Sequence, residues 1–118
     1  MKTNYVVVLL TVPDAKTAET LAAGLVENRL AACVSALPGA TSHYYWEGKL
    51  RREAETLLVI KTRTAVMPQL IAYVHENHDA RLPEIIGLPI SEGDKAYLDW
   101  VGANTLFGKP PEEEPVPL

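Results

Sequence analysis

The chain has 118 residues, a hydrophobic fraction of 47% and a charged fraction of 22%. That suffices for one self-supporting core without disulfide staples and is short for two ordinary domains. Net charge is −4, half of it carried by residues 108–118, so no basic surface suited to nucleic acid or an anionic membrane is expected. A single cysteine, Cys33, excludes an internal disulfide and fits a reducing compartment, with the cytoplasm as the expected address.

Lys2 ahead of the apolar run Tyr5–Leu10 superficially resembles a secretion signal. The run is too short, however, and Pro13-Asp14 follows without a small-residue cleavage site. No segment approaches the ~18 apolar residues of a membrane span. The run Tyr5–Val12, rich in β-branched residues, instead predicts a central strand buried on both faces. Asp14 can cap a helix reaching Glu27 or Asn28, with Ala18, Leu21, Ala22 and Leu25 as its apolar stripe. A long second strand begins between Leu30 and Val34.

Glu47-Gly48 then lies between runs rich in aromatic and β-branched residues, and reads as the two-residue turn of a hairpin. Such a loop pairs Trp46 with Lys49, Tyr45 with Leu50, Tyr44 with Arg51 and His43 with Arg52. Carried outward, the register sets Leu37 beside Leu58, Ser35 beside Ile60 and Cys33 beside Thr62. A strand from Ala31 to Trp46 spans roughly 50 Å at about 3.3 Å per residue. A compact chain of this size is only about 35 Å across. The hairpin must overhang its own domain and expose Tyr44, Tyr45 and Trp46, which soluble proteins avoid. A second copy of the chain is the most economical cover.

The third strand is polar over Arg51–Glu55 and apolar over Leu57–Ile60, so its environment changes midway. Thr64 can cap a second helix, with Pro68 in its tolerated first turn and Met67, Leu70, Ile71, Val74 and His78 on one face. Glu84–Ile90 reads as a fourth strand, and Pro89 places it at an edge. Ser91–Asp94 caps a third helix carrying Ala96, Tyr97, Trp100 and Val101. Residues 1–107 form the domain; 108–118 are a Pro- and Glu-rich tail that cannot build a core. The order β-α-β-β-α-β with an added C-terminal helix is an α+β, ferredoxin-like sandwich. That architecture carries many chemistries, so it does not by itself assign one.

No phosphate-cradling glycine loop, nucleophile elbow or metal pair such as Cys-x-x-Cys is present, and the chain is not expected to be an enzyme. His75 and His78, three apart on a helix, either share one edge or end it in solvent. Cys33 reads as a small buried core residue, or as a soft copper(I) ligand if a neighbouring chain supplies a second. The tip, Trp46 to Lys49, suits interface packing. Glu53, Glu55, Lys61, Arg63 and Glu84 read either as a polar cleft between subunits or as paired surface charges.

Ala31-Ala-Cys-Val, Pro38-Gly-Ala-Thr-Ser, Tyr44-Tyr-Trp-Glu-Gly-Lys, Ile60-Lys-Thr, Pro83-Glu-Ile-Ile and Tyr97-Leu-x-Trp100 together resemble the CutA family of divalent-cation tolerance proteins. The resemblance runs from about Val6 to Asn104. It implies a ferredoxin-like subunit in a tight homotrimer with interlocking hairpins, a role in tolerance to copper and other divalent metals, and no enzymatic activity. Tyr44, Tyr45, Trp46, Lys49, Glu55, Lys61, Glu84 and Trp100 are the expected intersubunit residues, and His78 and Cys33 the candidate metal ligands. The pattern departs where metal-binding relatives place Cys before the Thr of the first strand and a His-His-Pro-Tyr run after the second helix. Here Leu10 precedes Thr11, and the run is Asn77-His78-Asp79-Ala80. A trimeric scaffold, or a PII-like small-molecule module, is the alternative reading; the latter needs a long mobile loop where Glu47-Gly48 makes a tight turn.

Overall fold

A computed structural model describes residues 3–108. The chain runs β1 (Tyr5–Val12), α1 (Ala15–Glu27), β2 (Cys33–Trp46), β3 (Lys49–Arg63), α2 (Met67–Asn77), β4 (Ile85–Pro89) and α3 (Lys95–Ala103). The four strands form one antiparallel sheet in the order β2-β3-β1-β4. This is the α+β architecture expected from the sequence, with β4 at an edge as Pro89 implied. The tail lies outside the described residues except for Gly108.

The core follows the period-two pleat. Val6, Val8, Leu10 and Val12 of β1 and Leu58 and Ile60 of β3 are buried against Leu21 and Leu25 of α1 and Leu70 and Val74 of α2. β1 was expected to be buried on both faces, yet its alternate residues, including Val7 and Leu9, are only half-buried within the chain. Those residues share a second face with Leu57 and Val59 of β3 and with Ile86 and Leu88 of β4. Helix α3 covers one end of that face, where Gly102 packs beside the Tyr5 and Arg63 side chains. The rest stays open: Ile86 and Leu88 remain 48% and 47% exposed.

Helix entries are local. Asp14 accepts a hydrogen bond from Thr17 N–H (2.7 Å) and starts α1, and Asp94 does the same for α3 through Tyr97 N–H (3.0 Å). Thr64 does not cap α2. It opens a 3₁₀ turn over Thr64–Val66 that leads into the helix without a side-chain cap, and its N–H bonds to the Asn4 carbonyl (2.9 Å). In α3 the buried residues are Leu98 and Val101, with Tyr97 and Trp100 half-buried and Ala96 exposed.

Glu47 (φ 52°) and Gly48 (φ 76°) make the two-residue turn, and the ladder pairs Trp46 with Lys49 through to Ala40 with Glu55 as the sequence predicts. Beyond that the register slips by one: Leu37 faces Leu57, Ser35 faces Val59 and Cys33 faces Lys61. The cause is a bulge at Pro38-Gly39, where proline has no N–H to donate and Gly39 takes φ 88°. A one-residue slip turns every following side chain to the other face. Cys33 therefore lies half-buried on the open sheet face, not in the core.

Pairing of β1 with β3 ends at Val12 opposite Thr56. From Ala40 to Trp46 and Lys49 to Glu55 the two strands bond only to each other. This free arm gives the molecule extents of 52 × 30 × 24 Å. Tyr45 (75% exposed) and Leu50 (65%) pair on one face near its tip.

Close approach of α1 and α2 depends on Gly24, since a Cβ there would overlap the Tyr73 hydroxyl and stand 3.0 Å from its ring carbon. Alanine gains about 1 kcal/mol of helix propensity but must displace a packed ring, a cost of about 1–3 kcal/mol. Gly24→Ala is expected to lower stability in urea denaturation. The loss should shrink in a Tyr73→Phe background, where the hydroxyl is gone; an unchanged loss would show that the ring contact is not its source.

Candidate functional site

The arm leaves the sheet at the end where β1 stops, α1 starts and the 78–84 segment crosses from α2 to β4. These pieces enclose an open cleft of about 1160 Å³. Tyr44, Tyr45 and Trp46 come from the arm; Glu53 and Glu55 from β3; His78, Asp79 and Glu84 from the crossing segment. Five of the sequence-predicted intersubunit residues and the candidate ligand His78 thus share one site. Lys16 and Thr17 of α1, Tyr73 of α2 and Arg81 are also among its lining residues. None of those four was singled out from sequence. Their local patterns mark only helix surface and loop, and the fold alone brings them to one place.

The other predicted residues lie elsewhere. Lys49 stands opposite Trp46 at the tip. Lys61 pairs with Cys33 and donates to the Ser35 hydroxyl (3.1 Å) on the open sheet face. Trp100 stacks at a tilt on Tyr97, ring centroids 5.7 Å apart, on α3. Burial pushes the Tyr97 hydroxyl pKa above its ordinary value, with Cys33 nearby adding to the rise. Arg63 donates to the Thr105 hydroxyl (2.9 Å) and the Leu106 carbonyl, fastening the end of α3 to the sheet. Within one chain, Glu53, Glu55, Lys61, Arg63 and Glu84 form no ion pair with one another among the described residues. Among the described residues the ion pair present is Lys95–Asp99 (2.7 Å), an exposed i,i+4 contact on α3.

His78 is a staple. Its Nδ1 accepts the Ala80 N–H (3.1 Å), which leaves Nε2 to donate to the Thr11 carbonyl (3.1 Å). Both ring nitrogens are engaged, and the one lone pair an imidazole offers a metal is the one Ala80 uses. Cys33 lies on the row of Val7, four residues from Thr11 along β1, which is roughly 13 Å. Among the described residues no group of three or more His, Cys, Asp or Glu side chains converges as a metal would require. Within one chain, His78 and Cys33 do not fit a shared metal ion.

At the rim, the Thr17 N–H holds the Asp14 carboxyl pKa below its ordinary value, with the Thr17 side chain and Lys16 assisting. No helix among the described residues is long and apolar enough to cross a membrane.

A split β-α-β sandwich whose central hairpin outgrows the sheet, with an open cleft beneath the projecting arm, defines an α+β protein of ferredoxin-like architecture with an extended arm. The chain belongs to the CutA1 divalent ion tolerance protein family, whose profile matches residues 6–104. The divalent-cation tolerance protein CutA of Yersinia pestis (strain Pestoides F) is 48% identical over 103 residues, 87% of each chain. The divalent cation tolerance protein Cut A1 of Thermus thermophilus superposes with a TM-score of 0.84 at 48% identity, covering 86% of this chain and 98% of that one. CutA1 of Oryza sativa gives 0.87 at 40% identity, with 90% and 97% covered.

Two outcomes test the local geometry. His78→Ala should cost about 0.5–1.5 kcal/mol, the net worth of a hydrogen bond whose freed groups can turn to water. It should also speed hydrogen exchange at the Ala80 amide while core strands stay protected; unchanged exchange would refute the staple. Asp14, whose pKa is lowered by folding, stabilises the fold fully above its unfolded-state value, and the contribution fades as pH falls through the lower folded value. Asp14→Ala should therefore flatten the acid limb of a stability–pH profile.

Proposed function

We propose that the protein acts in divalent-cation tolerance as a non-enzymatic cytoplasmic homotrimer, with any bound cation, copper included, held by groups of more than one chain. The supporting observation is the pair of surfaces that a single chain leaves uncovered: the arm bearing Tyr45 and Leu50, and the sheet face bearing Ile86 and Leu88. Soluble proteins rarely leave apolar area of this kind contiguous and bare, and closed symmetric assembly covers it with no further component. The number three comes from the family resemblance, as does the interlocking of arms. A cation between chains agrees with the engaged nitrogens of His78 and with Cys33 on the open face, where a neighbouring copy can reach it. The cytoplasmic address rests on a single cysteine in a chain that needs no disulfide.

Sedimentation equilibrium of the full chain should give three times the chain mass at all accessible concentrations. Trp46→Ala should lower that mass and cost about 3 kcal/mol, as for loss of a large aromatic from a packed site. A variant that stays trimeric and equally stable would refute the interlocked arm. Calorimetric titration of copper(I) and copper(II), counted per chain, should saturate at one ion or one-third of an ion, the latter on the threefold axis. No heat beyond buffer would remove the cation from the reading and leave a trimeric scaffold.

A further inference from the structure

A second depression lies on the helical side of the sheet, away from the arm's tip and from the bare face of Ile86 and Leu88. Helix α1 and strand β2 enclose a groove of about 540 Å³, walled by Ala15, Ala22 and Val26 on the helix and by Val34, Ala36 and Pro38 on the strand. Glu19 is its one charged lining residue. The slip at Pro38-Gly39 contributes, since it turns Val34 and Ala36 toward the helices while Cys33, Ser35 and Leu37 face the open side. Small side chains on α1 keep the space unfilled, and Val26 stays 42% exposed. β2 is also an end strand of the sheet. Among the described residues, its backbone groups that turn away from β3 meet no other strand.

The chain itself holds a segment that fits. Leu106 N–H bonds to the Arg29 carbonyl (2.9 Å) and Arg29 N–H to the Val26 carbonyl (3.0 Å). The described residues therefore end, at Gly108, beside the Val26 mouth of the groove. From Val26 to Ala15 the groove follows α1 for roughly 17 Å, at about 1.5 Å per residue. Residues 109–118 reach roughly 31 Å in a polyproline conformation at about 3.1 Å per residue, enough to run its length with slack. Their pattern suits an edge. Val116 and Leu118 alternate with Pro115 and Pro117. In an extended chain, alternate residues turn their N–H groups to the neighbouring strand and their side chains to one face. Val116 and Leu118 can then bond to β2 and fill the groove, while the prolines, with no N–H to donate, take the outward positions. Glu112, Glu113 and Glu114, repelled by Glu19, form the solvated span between.

We propose that Pro115–Leu118 docks in the α1–β2 groove of its own chain as a short edge strand, with Val116 and Leu118 turned toward the alanines of α1. Entering at the end of α1, where β2 begins, the segment runs parallel to β2. Docked there, it closes the free edge of β2 against pairing with other chains. A neighbouring copy seated on the same edge is the competing occupant. The proposal is independent of the tolerance reading, since neither a cation nor the arm takes part in it.

The test compares amide hydrogen exchange in the full chain with that in a chain ending at Gly108. Removing residues 109–118 should speed exchange about tenfold at those amides between Val34 and Leu37 that do not bond to β3, the scale of two buried apolar side chains less the tail's ordering cost. Amides of β1 and β3 should keep their protection. In the full chain, Val116→Glu combined with Leu118→Glu should match the truncation, and so should Val26→Glu at the exposed mouth of the groove. A synthetic peptide of residues 109–118 should restore protection to the truncated chain saturably, and the same peptide with both Glu substitutions should not. Equal exchange in the full and truncated chains overturns the proposal: slow in both, the edge belongs to a neighbouring copy; fast in both, it is bare. Indifference to the tail substitutions overturns it as well. Sedimentation equilibrium should give the truncated chain the same number of copies as the full one. A smaller assembly on truncation would show that the tail joins copies, and would overturn docking within one chain.

Discussion

The ladder between β2 and β3 sets almost everything else about the molecule. Glu47-Gly48 closes it in two residues, so register is fixed at the tip and carried inward as far as Ala40 opposite Glu55. Because the strands are longer than the sheet they join, pairing with β1 stops at Thr56 while β2 and β3 continue as an arm. The projecting arm makes the cleft, leaves Tyr45 and Leu50 in solvent and stretches the molecule along one axis. Shortening the hairpin would leave an ordinary split β-α-β sandwich with no cleft and less bare apolar surface.

A single irregularity then divides the ladder into two regimes. The bulge at Pro38-Gly39 puts two residues of β2 against Thr56 of β3 and inverts the facing of everything N-terminal to it. Outside the bulge, the arm keeps the register of its turn; inside it, Cys33, Ser35 and Leu37 face the open side of the sheet. The position of Cys33 is thus set by a proline five residues away, through the loss of one N–H and a glycine able to adopt positive φ. The same face collects Val7, Leu9, Ile86 and Leu88, which explains why β1 reads as apolar on both sides although one chain buries only one of them.

The crossing segment is fixed by one side chain, His78. That ring is spent on two backbone bonds, to Thr11 and Ala80, that fix the segment against the end of β1. Among the described residues the surrounding carboxylates form no ion pair and do not converge as a ligand cage.

What the sequence determined by itself was whatever depends on neighbours along the chain. The existence of strand β1, the stripe of α1, the Asp14 and Asp94 caps, the edge position of β4 and the tip register all follow from β-branched runs, periodicity, capping chemistry and one tight turn, which act over a few residues. The overhang followed too, since it compares a strand's length with a domain's diameter. Tertiary structure alone decided the facing of Cys33, the burial of Leu98, the uncapped entry to α2 and the membership of Lys16, Tyr73 and Arg81 in the cleft. Each of these depends on a choice between alternatives that are nearly equal locally. A bulge or no bulge at Pro-Gly, and a 3₁₀ turn or a capped helix after Arg63, are decided by which contacts distant segments make when they pack. The roles of His78 also belong there, because its two partners include a carbonyl 67 residues earlier in the chain.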